Sequence, residues 1–325
     1  LHFCENGEKD ANTQELQRKI LRWIKPDLVV LSGDAASGWM TKTPGSFETC
    51  WRKFTEPITE AQIPYAYIFG NHDAEGALDR FQISKLDETH PFSVRRDVDG
   101  LPGKLNFEIP VYSSKNPTQL AANIWLFDTG SRSCDGFDSS SWGCVEQDTI
   151  DWYTEKSRQI KKKHGNDVHH LAFLHIPIPE FIKLANTQRI YGNQNEQISC
   201  PVVNNGFFKS VLKNEDISAM FFGHDHANNF GGVYQGIELA YGQKSGYGSY
   251  GNDRGARVIT LKEAYDSEGK LSVTRNHYVM FENGTVGLTQ PTRPREGQEL
   301  KPCVYLGGGY LWTTVTILYP STATC

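Results

Sequence analysis

The apolar residues of this chain follow two patterns that alternate through its first two thirds. Short apolar runs, typical of buried strands, lie at residues 27–33, 65–70, 123–130, 169–174 and 217–223. Stretches with helical character precede or separate them, at residues 13–25, 47–62, 77–86, 146–165 and 207–214. In the first, Leu16, Ile20 and Ile24 share one face and Pro26 follows as a stop, whereas Pro57 inside the second predicts a kink or break. The alternation predicts a series of βα units.

The pattern changes after residue 223. Three more strands are indicated at residues 237–243, 255–261 and 271–279, and their glycine-rich connections without helices favour an antiparallel arrangement. From about residue 287 the chain is rich in proline and charge. We therefore expect one domain over residues 1–286 and an extension over residues 287–325 that packs on or beside it.

Charge and apolar content argue against two classes of protein. A formal net charge of -5 over 325 residues disfavours a general nucleic-acid-binding protein, because phosphate contacts require a basic surface. No apolar run reaches the roughly 18 residues of a membrane-spanning helix. The nearest, residues 304–319, contains three glycines and three threonines and has an alternating character, which predicts strand and turn. We expect neither nucleic-acid binding nor a membrane span.

Polar clusters follow four of the predicted strands, at the point where the chain leaves each strand. Each cluster alone also fits an ordinary polar turn, but the carboxyl ends of strands form the ligand-binding edge of open α/β sheets. Imidazole and carboxylate together suit borderline metals such as Zn, Fe and Mn, and the absence of cysteine from these clusters disfavours a structural zinc site. The clusters are Asp34; Asn71, His72 and Asp73; His175; and His224 with His226.

Two features of these clusters suit a pair of metal ions. A single carboxylate such as Asp34 can bridge ions roughly 3.5–4 Å apart, the spacing used by two-metal phosphatases. Glycines precede three of the clusters, at Gly33, Gly70 and Gly223, and are predicted to permit sharp turns out of the strands.

Four motifs in this order resemble the calcineurin-like metallophosphoesterase superfamily, whose signature is DxH, GD, GNH[DE], H and GHxH. They read LSGD at 31–34, FGNHD at 69–73, LHIPIPE at 174–180 and FFGHDH at 221–226. The sequence around these motifs is similar to that of fungal dosage-dependent cell cycle regulator phosphatases and of plant purple-acid-phosphatase-like proteins, over roughly residues 1–280. The resemblance implies an α/β fold, an α+β sandwich of two mixed β-sheets packed face to face and flanked by helices.

The resemblance also implies a ligand set for two divalent or trivalent metal ions, either Fe, Zn or Mn. Asp34 would be the carboxylate shared by both ions. One site would be completed by Asn71, His175 and His224, and the other by His2 and His226. Because Gly223 lets the chain turn, the two histidines of GHDH need not point to opposite faces as they would within a strand. Asp225 between them is predicted to point away and to bind neither ion.

Two further residues would serve catalysis. By the resemblance, His72 would contact the phosphoryl group and protonate the leaving oxygen, and Asp73 would orient His72. The reaction implied is hydrolysis of a phosphate monoester by attack of a metal-bridging hydroxide. Two alternatives stay open: a phosphodiesterase acting on nucleotides or lipid headgroups, and a catalytically impaired protein of the same fold that serves as a scaffold.

The chain departs from the family pattern at two positions. The aspartate of the first motif would lie one residue before Leu1, so we expect that the printed sequence starts just after it. If that carboxylate is missing, one metal site loses a ligand. Purple enzymes carry a tyrosinate three residues after the GD aspartate, where this chain has Ser37. We therefore expect no purple charge-transfer colour.

The cysteines indicate a compartment. Cys134 and Cys144 bracket a polar loop that a disulfide could close, and Asn283 begins a glycosylation sequon. These features favour a secreted glycoprotein or a protein of the endomembrane lumen, with an intracellular protein as the alternative.

Overall fold

The computed structural model describes residues 1–136, 139–287 and 299–303, so the predicted strand and turn at 304–319 lie outside the described residues. The helices are α1 (Gly7–Ile24), α2 (Ser46–Ala61), α3 (Arg80–Glu88), α4 (Gln147–His164), α5 (Glu180–Thr187) and α6 (Phe207–Asn214). The strands are β1 (Val29–Ser32), β2 (Tyr65–Ile68), β3 (Phe107–Tyr112), β4 (Leu120–Leu126), β5 (His169–Phe173), β6 (Ile190–Tyr191), β7 (Ile217–Phe222), β8 (Gly231–Tyr234), β9 (Ile237–Tyr241), β10 (Gly255–Tyr265) and β11 (Leu271–Phe281).

A seven-stranded mixed sheet in the order β3-β4-β5-β7-β9-β8-β6 forms the first layer. Its central strands β4, β5, β7 and β9 are parallel, whereas β3 and β8 pair with their neighbours in antiparallel fashion. Parallel neighbours need a crossover, and α4 and α6 supply two of them. The predicted βα units are therefore present.

The second layer consists of two ladders, the parallel pair β1–β2 and the antiparallel hairpin β10–β11. Between the layers lies one hydrophobic cluster, to which Leu31 of β1, Ile68 of β2 and Phe221 of β7 contribute. The opposite face of the large sheet packs on the helices through a second cluster that includes Tyr153 and Phe181. The α/β sandwich is confirmed, with its second layer divided into two ladders.

The helix ends follow from local chemistry. The side chain of Asn6 accepts a hydrogen bond from the backbone of Glu8, so α1 begins at Gly7, earlier than its apolar face alone predicts. Lys25 adopts a left-handed conformation and ends α1 before Pro26. Pro57 lies inside α2 without ending it, so the predicted break is not observed.

Residues 299–303, which fall in the predicted extension, contact residues of the predicted domain. Leu300 is buried in the cluster beneath the helices, and its backbone N–H and C=O both bond to the side chain of Asn186. A disulfide joins Cys200 to Cys303. Within the described ranges, none of the helices has the length and apolar content that crossing a bilayer requires.

Candidate metal centre

The loops that leave β1, β2, β5 and β7 meet at one edge of the sandwich. Each of these strands ends two or three residues before a polar side chain of the predicted set: Asp34, Asn71, His175 and His224. His2 joins them from the N-terminal segment, whose backbone N–H bonds to the carbonyl of Asp34 at 2.9 Å. The topology thus collects residues that are far apart in sequence.

Asp34 lies at the centre of the cluster and is buried. Its Oδ2 atom is 3.4 Å from Nε2 of His2 and 3.1 Å from Nε2 of His175. Its Oδ1 atom accepts a hydrogen bond from the backbone N–H of His72 at 2.9 Å. One carboxylate therefore faces histidines on two sides.

The potential ligand atoms form two groups that share Asp34, each with its atoms within 4.8 Å of one another. One group contains His2 and His226, whose Nε2 atoms are 3.1 Å apart. The other contains His175 and His224. Asn71 belongs to this second group, because its Oδ1 atom is 3.1 Å from Nε2 of His175.

Asp225 lies between the two histidines in sequence but faces another part of the molecule. Its Oδ2 atom accepts hydrogen bonds from the Tyr241 hydroxyl at 2.6 Å and from the backbone N–H of Ser199 at 3.1 Å. Asp225 is absent from both ligand groups found among the described residues at this edge.

Three histidines are oriented by contacts of their Nδ1 atoms, as ligating histidines in proteins usually are. The partners are the Ser37 hydroxyl for His2 at 3.1 Å, the Ser32 carbonyl for His175 at 2.7 Å and the Tyr250 carbonyl for His226 at 3.2 Å. Each contact leaves Nε2 directed toward the cluster.

His224 supplies the most direct test of whether metal ions fit. Its Nε2 atom is buried and has no hydrogen-bond partner among the described residues. A buried polar atom without a partner destabilises a fold, whereas the same neutral nitrogen is a good ligand for Zn, Fe or Mn. The four imidazoles, the shared carboxylate and the amide oxygen therefore fit two such ions.

The electrostatics of the cluster keep most of its histidines neutral. Burial lowers the pKa of His2 to about 4 and that of His226 to about 2. Burial alone would raise the pKa of Asp34, but the adjacent His175 and His2 outweigh it and hold that pKa well below its usual range. Burial opposes the charge of His175, but the adjacent Asp34 outweighs it and raises the pKa of that imidazole. The cluster thus offers an ionised carboxylate beside the neutral nitrogens of His2 and His226, the protonation state in which side chains bind metals.

The backbone is strained at three of the candidate ligand positions. His2, Asp34 and His224 have φ values of 56°, 50° and 73°, in the left-handed region that residues other than glycine rarely adopt. Such outliers cost on the order of 1–3 kcal/mol each and concentrate at functional sites.

The glycines before the clusters have two different roles. Gly33 adopts a φ of +89°, which fits the predicted sharp turn. Gly70 has no such angle, but a Cβ atom there would lie 2.1 Å from Oδ1 of Asp34. At Gly223 a Cβ atom would lie 2.9 Å from the carbonyl of Ser32. These two glycines leave space for the neighbouring loops to approach.

His72 lies at the mouth of the cluster, with 31% of its side chain exposed. Its Nδ1 atom is 2.7 Å from Oε2 of Glu75. The buried carboxylate of Asp73 instead accepts backbone hydrogen bonds from Asp34, Ala36 and Gly70. Asp73 was predicted to orient His72; in the structure Asp73 joins two loops through these backbone bonds, and Glu75 is the carboxylate that contacts the imidazole.

Sequence reasoning missed Glu75, and it noted Ser37 only as the residue in the tyrosinate position. The Ser37 hydroxyl donates to Glu5 at 2.8 Å while contacting His2, so it links that ring to a carboxylate. The spacing of three residues between His72 and Glu75 was an available signal, because such residues can face each other in a turn. Nothing in the sequence marked the carbonyl of Tyr250.

The chain matches the model of a known family. The family described as calcineurin-like phosphoesterase matches residues 1–228. A protein from Arabidopsis thaliana named probable inactive purple acid phosphatase 29 is 28% identical, and the match covers 82% of this chain and 72% of that protein. Probable inactive purple acid phosphatase 14 from the same plant is 30% identical over 78% of this chain and 67% of its own length.

Two further comparisons extend to fungi and to a solved structure. Phosphatase DCR2 from Saccharomyces cerevisiae is 25% identical, over 70% of this chain and 40% of that protein. A dimetal phosphatase from Danio rerio is similar in structure, with a TM-score of 0.50 and 11% identity, over 71% of this chain and 78% of that one. At this identity the likeness concerns the fold.

Proposed function

Since the chain belongs to the calcineurin-like phosphoesterase family, and is therefore a hydrolase acting on phosphoester bonds, we propose that it hydrolyses phosphate monoesters at a dinuclear metal centre. One observation carries this proposal. Asp34 is shared by two groups of ligand atoms, and beside it the buried Nε2 atom of His224 lacks a hydrogen-bond partner among the described residues.

The ligand residues divide between the two ions in this proposal. Asn71, His175 and His224 would hold one, His2 and His226 would hold the other, and Asp34, which belongs to both groups, would be their shared ligand. When bound, two such ions activate water and offset the charge of the phosphoryl group. The metal is Fe, Zn or Mn, and Ser37 in the tyrosinate position implies a protein without purple colour.

His72 acts on the leaving group. Its backbone N–H bonds to Asp34, which fixes the residue beside the metal centre, and its ring is partly exposed toward the mouth. Glu75 accepts a hydrogen bond from Nδ1–H of the ring, so that in the doubly protonated imidazolium the proton on Nε2 is the one given to the departing oxygen. Asp73 supports this geometry indirectly through the loop of Gly70.

Two substitutions test the proposal against a matched control. Asp34→Asn should lose metal from both positions, whereas Asp87→Asn removes a buried carboxylate elsewhere, bonded to Tyr65, and should retain both ions. His72→Asn should keep its metal while turnover of a generic monoester falls about 10²- to 10⁴-fold. Metal content that does not respond to Asp34→Asn contradicts the assignment.

The same assays separate the alternatives. Faster hydrolysis of a diester than of its matched monoester would identify a phosphodiesterase. The Arabidopsis relatives are named as probably inactive, so a scaffold of this fold is the other alternative. Metal-loaded protein that turns over neither ester would favour the scaffold.

The compartment is part of the proposal. Disulfides join Cys4 to Cys50, Cys134 to Cys144 and Cys200 to Cys303, which fits an oxidising environment. Asn283 is exposed, as a glycosylated asparagine must be. A secreted or lumenal glycoprotein is therefore favoured over an intracellular protein.

A further inference from the structure

Three aromatic side chains contact histidines of the metal centre, and the proposed reaction uses none of them. They come from three different loops, and we call them the aromatic collar. The ring centroids are 4.6 Å apart for Trp39 and His72, 4.4 Å for Trp142 and His224, and 4.2 Å for Tyr250 and His226. Trp39 and Trp142 are half-buried, and Tyr250 is 52% exposed. All three rings of the collar are therefore partly accessible to solvent beside the centre.

Trp39 is held against His72 by the backbone. The N–H of Gly38 bonds to the carbonyl of His72 at 3.1 Å. A Cβ atom at Gly38 would lie 2.0 Å from that carbonyl, so the two loops approach as closely as glycine allows. The position of the indole is thus coupled to that of the imidazole.

Trp142 is held by the small disulfide ring. Cys134 and Cys144 close the loop, and Arg132 pairs with Trp142 across it. The guanidinium of Arg132 lies 4.6 Å from the centre of the indole ring. The loop closed by Cys134 and Cys144 therefore brings an aromatic side chain to His224, in addition to indicating an oxidising compartment.

Tyr250 stacks on His226 with an interplanar angle of 20°. Its hydroxyl donates to Glu196 at 2.9 Å, and the other oxygen of that carboxylate accepts from the backbone of Ala227. The stacked pair is therefore tied to the loop that carries both histidines of GHDH.

The position of His72 identifies the side on which the leaving group lies. In the proposed function His72 protonates the departing oxygen, so the group attached to that oxygen extends from His72 toward the mouth. The side chain packed on His72 there is Trp39. A leaving group in this position would pack against the indole of Trp39.

We propose that the aromatic collar is a leaving-group subsite that selects phosphate monoesters whose leaving group carries a planar aromatic ring. The proposal rests on the proposed function, because it concerns the same reaction. A flat ring can make offset or edge-to-face contacts with the collar, whereas a saturated ring of the same carbon skeleton buries its surface without those contacts. The alternative is that the aromatic residues only hold the histidines in place.

Two esters isolate this difference. Benzyl phosphate and cyclohexylmethyl phosphate share a carbon skeleton and release primary alcohols, so they differ chiefly in the planarity of the ring. With the metal-loaded wild-type protein, we expect kcat/KM to be about 2- to 10-fold higher for the benzyl ester. Trp39→Leu should bring the ratio close to one, and Trp142→Leu should reduce it. Trp23→Leu, at a half-exposed tryptophan on α1, is the matched control and should keep the wild-type ratio.

The outcomes separate this proposal from the one it rests on. If the wild type hydrolyses both esters with equal kcat/KM, the proposal that the collar is a leaving-group subsite is refuted, and the proposed function is still supported. Hydrolysis of neither overturns the proposed function. If Trp39→Leu slows both esters by one factor and keeps the ratio, the indole only packs on His72 and the subsite is refuted. Metal content is measured in each variant. If Trp39→Leu fails to fold, the ratio of kcat/KM for the two esters in Trp142→Leu is the test, and an unchanged ratio refutes the subsite.

Discussion

The Nδ1 atom of His72 lies 2.7 Å from Oε2 of Glu75, three residues later in the chain. Both side chains are partly exposed, at 31% and 38%. Within a single turn after β2, the chain therefore supplies a proposed metal ligand at Asn71, a proposed proton donor at His72 and a carboxylate that orients it.

Removing this carboxylate should affect turnover more than metal binding. We expect Glu75→Ala to lower kcat about tenfold with little change in KM, because the imidazole loses the partner that fixes its tautomer and angle. Glu75→Gln should recover part of the loss, since an amide oxygen can still accept from Nδ1. Glu88→Ala, at an exposed glutamate paired with Lys85, is the control. Loss of bound metal from Glu75→Ala would contradict the prediction that Glu75 acts only by orienting the imidazole of His72.

The two histidines of GHDH should affect different ions. His224→Ala is expected to reduce occupancy mainly at the ion shared with His175 and Asn71, and His226→Ala mainly at the ion shared with His2. Anomalous scattering from metal-loaded crystals of each variant measures the two positions separately. Asp225→Asn is the control and should retain both ions, because that carboxylate bonds to Tyr241. Equal depletion of both positions by either histidine substitution would refute the division.

Gly70 should tolerate no side chain. In Gly70→Ala the new methyl group would lie 2.1 Å from Oδ1 of Asp34 and 2.3 Å from its backbone nitrogen, so the shared carboxylate must move. We expect metal affinity to fall at least tenfold, measured by competition with a chelator. Gly7→Ala provides the control, since nothing lies within 4 Å of its added Cβ atom. Unchanged affinity in Gly70→Ala would mean that the carboxylate position is not critical.

Glu238 should make stability depend on acid pH. It lies on β9, contacts His277 at 2.7 Å and accepts from the Tyr191 hydroxyl at 2.6 Å. Burial opposes ionisation, but these partners and Arg275 hold the pKa of Glu238 down at about 2, below its ordinary 4.5. The native state then binds fewer protons than the unfolded state, so the stabilisation is complete above pH 4.5 and is lost as the pH falls toward 2.

The measurement is denaturant unfolding of the wild type and of Glu238→Gln. We expect the wild type to lose about 2 kcal/mol more than the variant between pH 5 and pH 2.5. Glu8→Gln, at an exposed position in α1, should behave as the wild type. Parallel pH profiles for the wild type and Glu238→Gln would show that the carboxylate contributes nothing to acid stability.

The disulfide between Cys134 and Cys144 should be present in protein from its native source. The bonded residues are 10 positions apart, so closing this loop contributes about 2–3 kcal/mol at best. Peptide mapping without reduction detects the bond directly. Free thiols at both positions would count against a secreted or lumenal protein.

The site was more predictable from sequence than the elements around it. Asp34, His175 and His224 could be found because each follows an uninterrupted apolar strand, and parallel strands end at a common edge. The contact between His72 and Glu75 had only its spacing of three residues as a signal, and that signal is weak because a turn brings residues together at many spacings. The contact of the Tyr250 carbonyl with His226 could not be predicted from the sequence either, because it is made across a loop by a backbone atom.

Several elements were missed for identifiable reasons. β3 carries Pro110, which argues against a strand but is tolerated because β3 is an edge strand. β8 begins with two glycines, which weaken any strand pattern, and a Cβ atom at Gly231 would lie 2.4 Å from the Tyr191 hydroxyl. β6 has only 2 residues and depends on β8 for its pairing. The apolar pattern within one segment cannot predict strands such as these, which form only because a neighbouring strand pairs with them.

The disulfide from Cys200 to Cys303 has a consequence for how the chain matures during synthesis. Its partners are 103 residues apart, so Cys200 leaves the ribosome long before Cys303 exists. Throughout that interval Cys200 carries a reactive thiol while Cys134 and Cys144 have already emerged, and a mispaired bond to either would need later exchange. The bond from Cys200 to Cys303 can therefore form only once the chain has been extended to residue 303, and any earlier mispairing of Cys200 has to be reversed first by thiol–disulfide exchange.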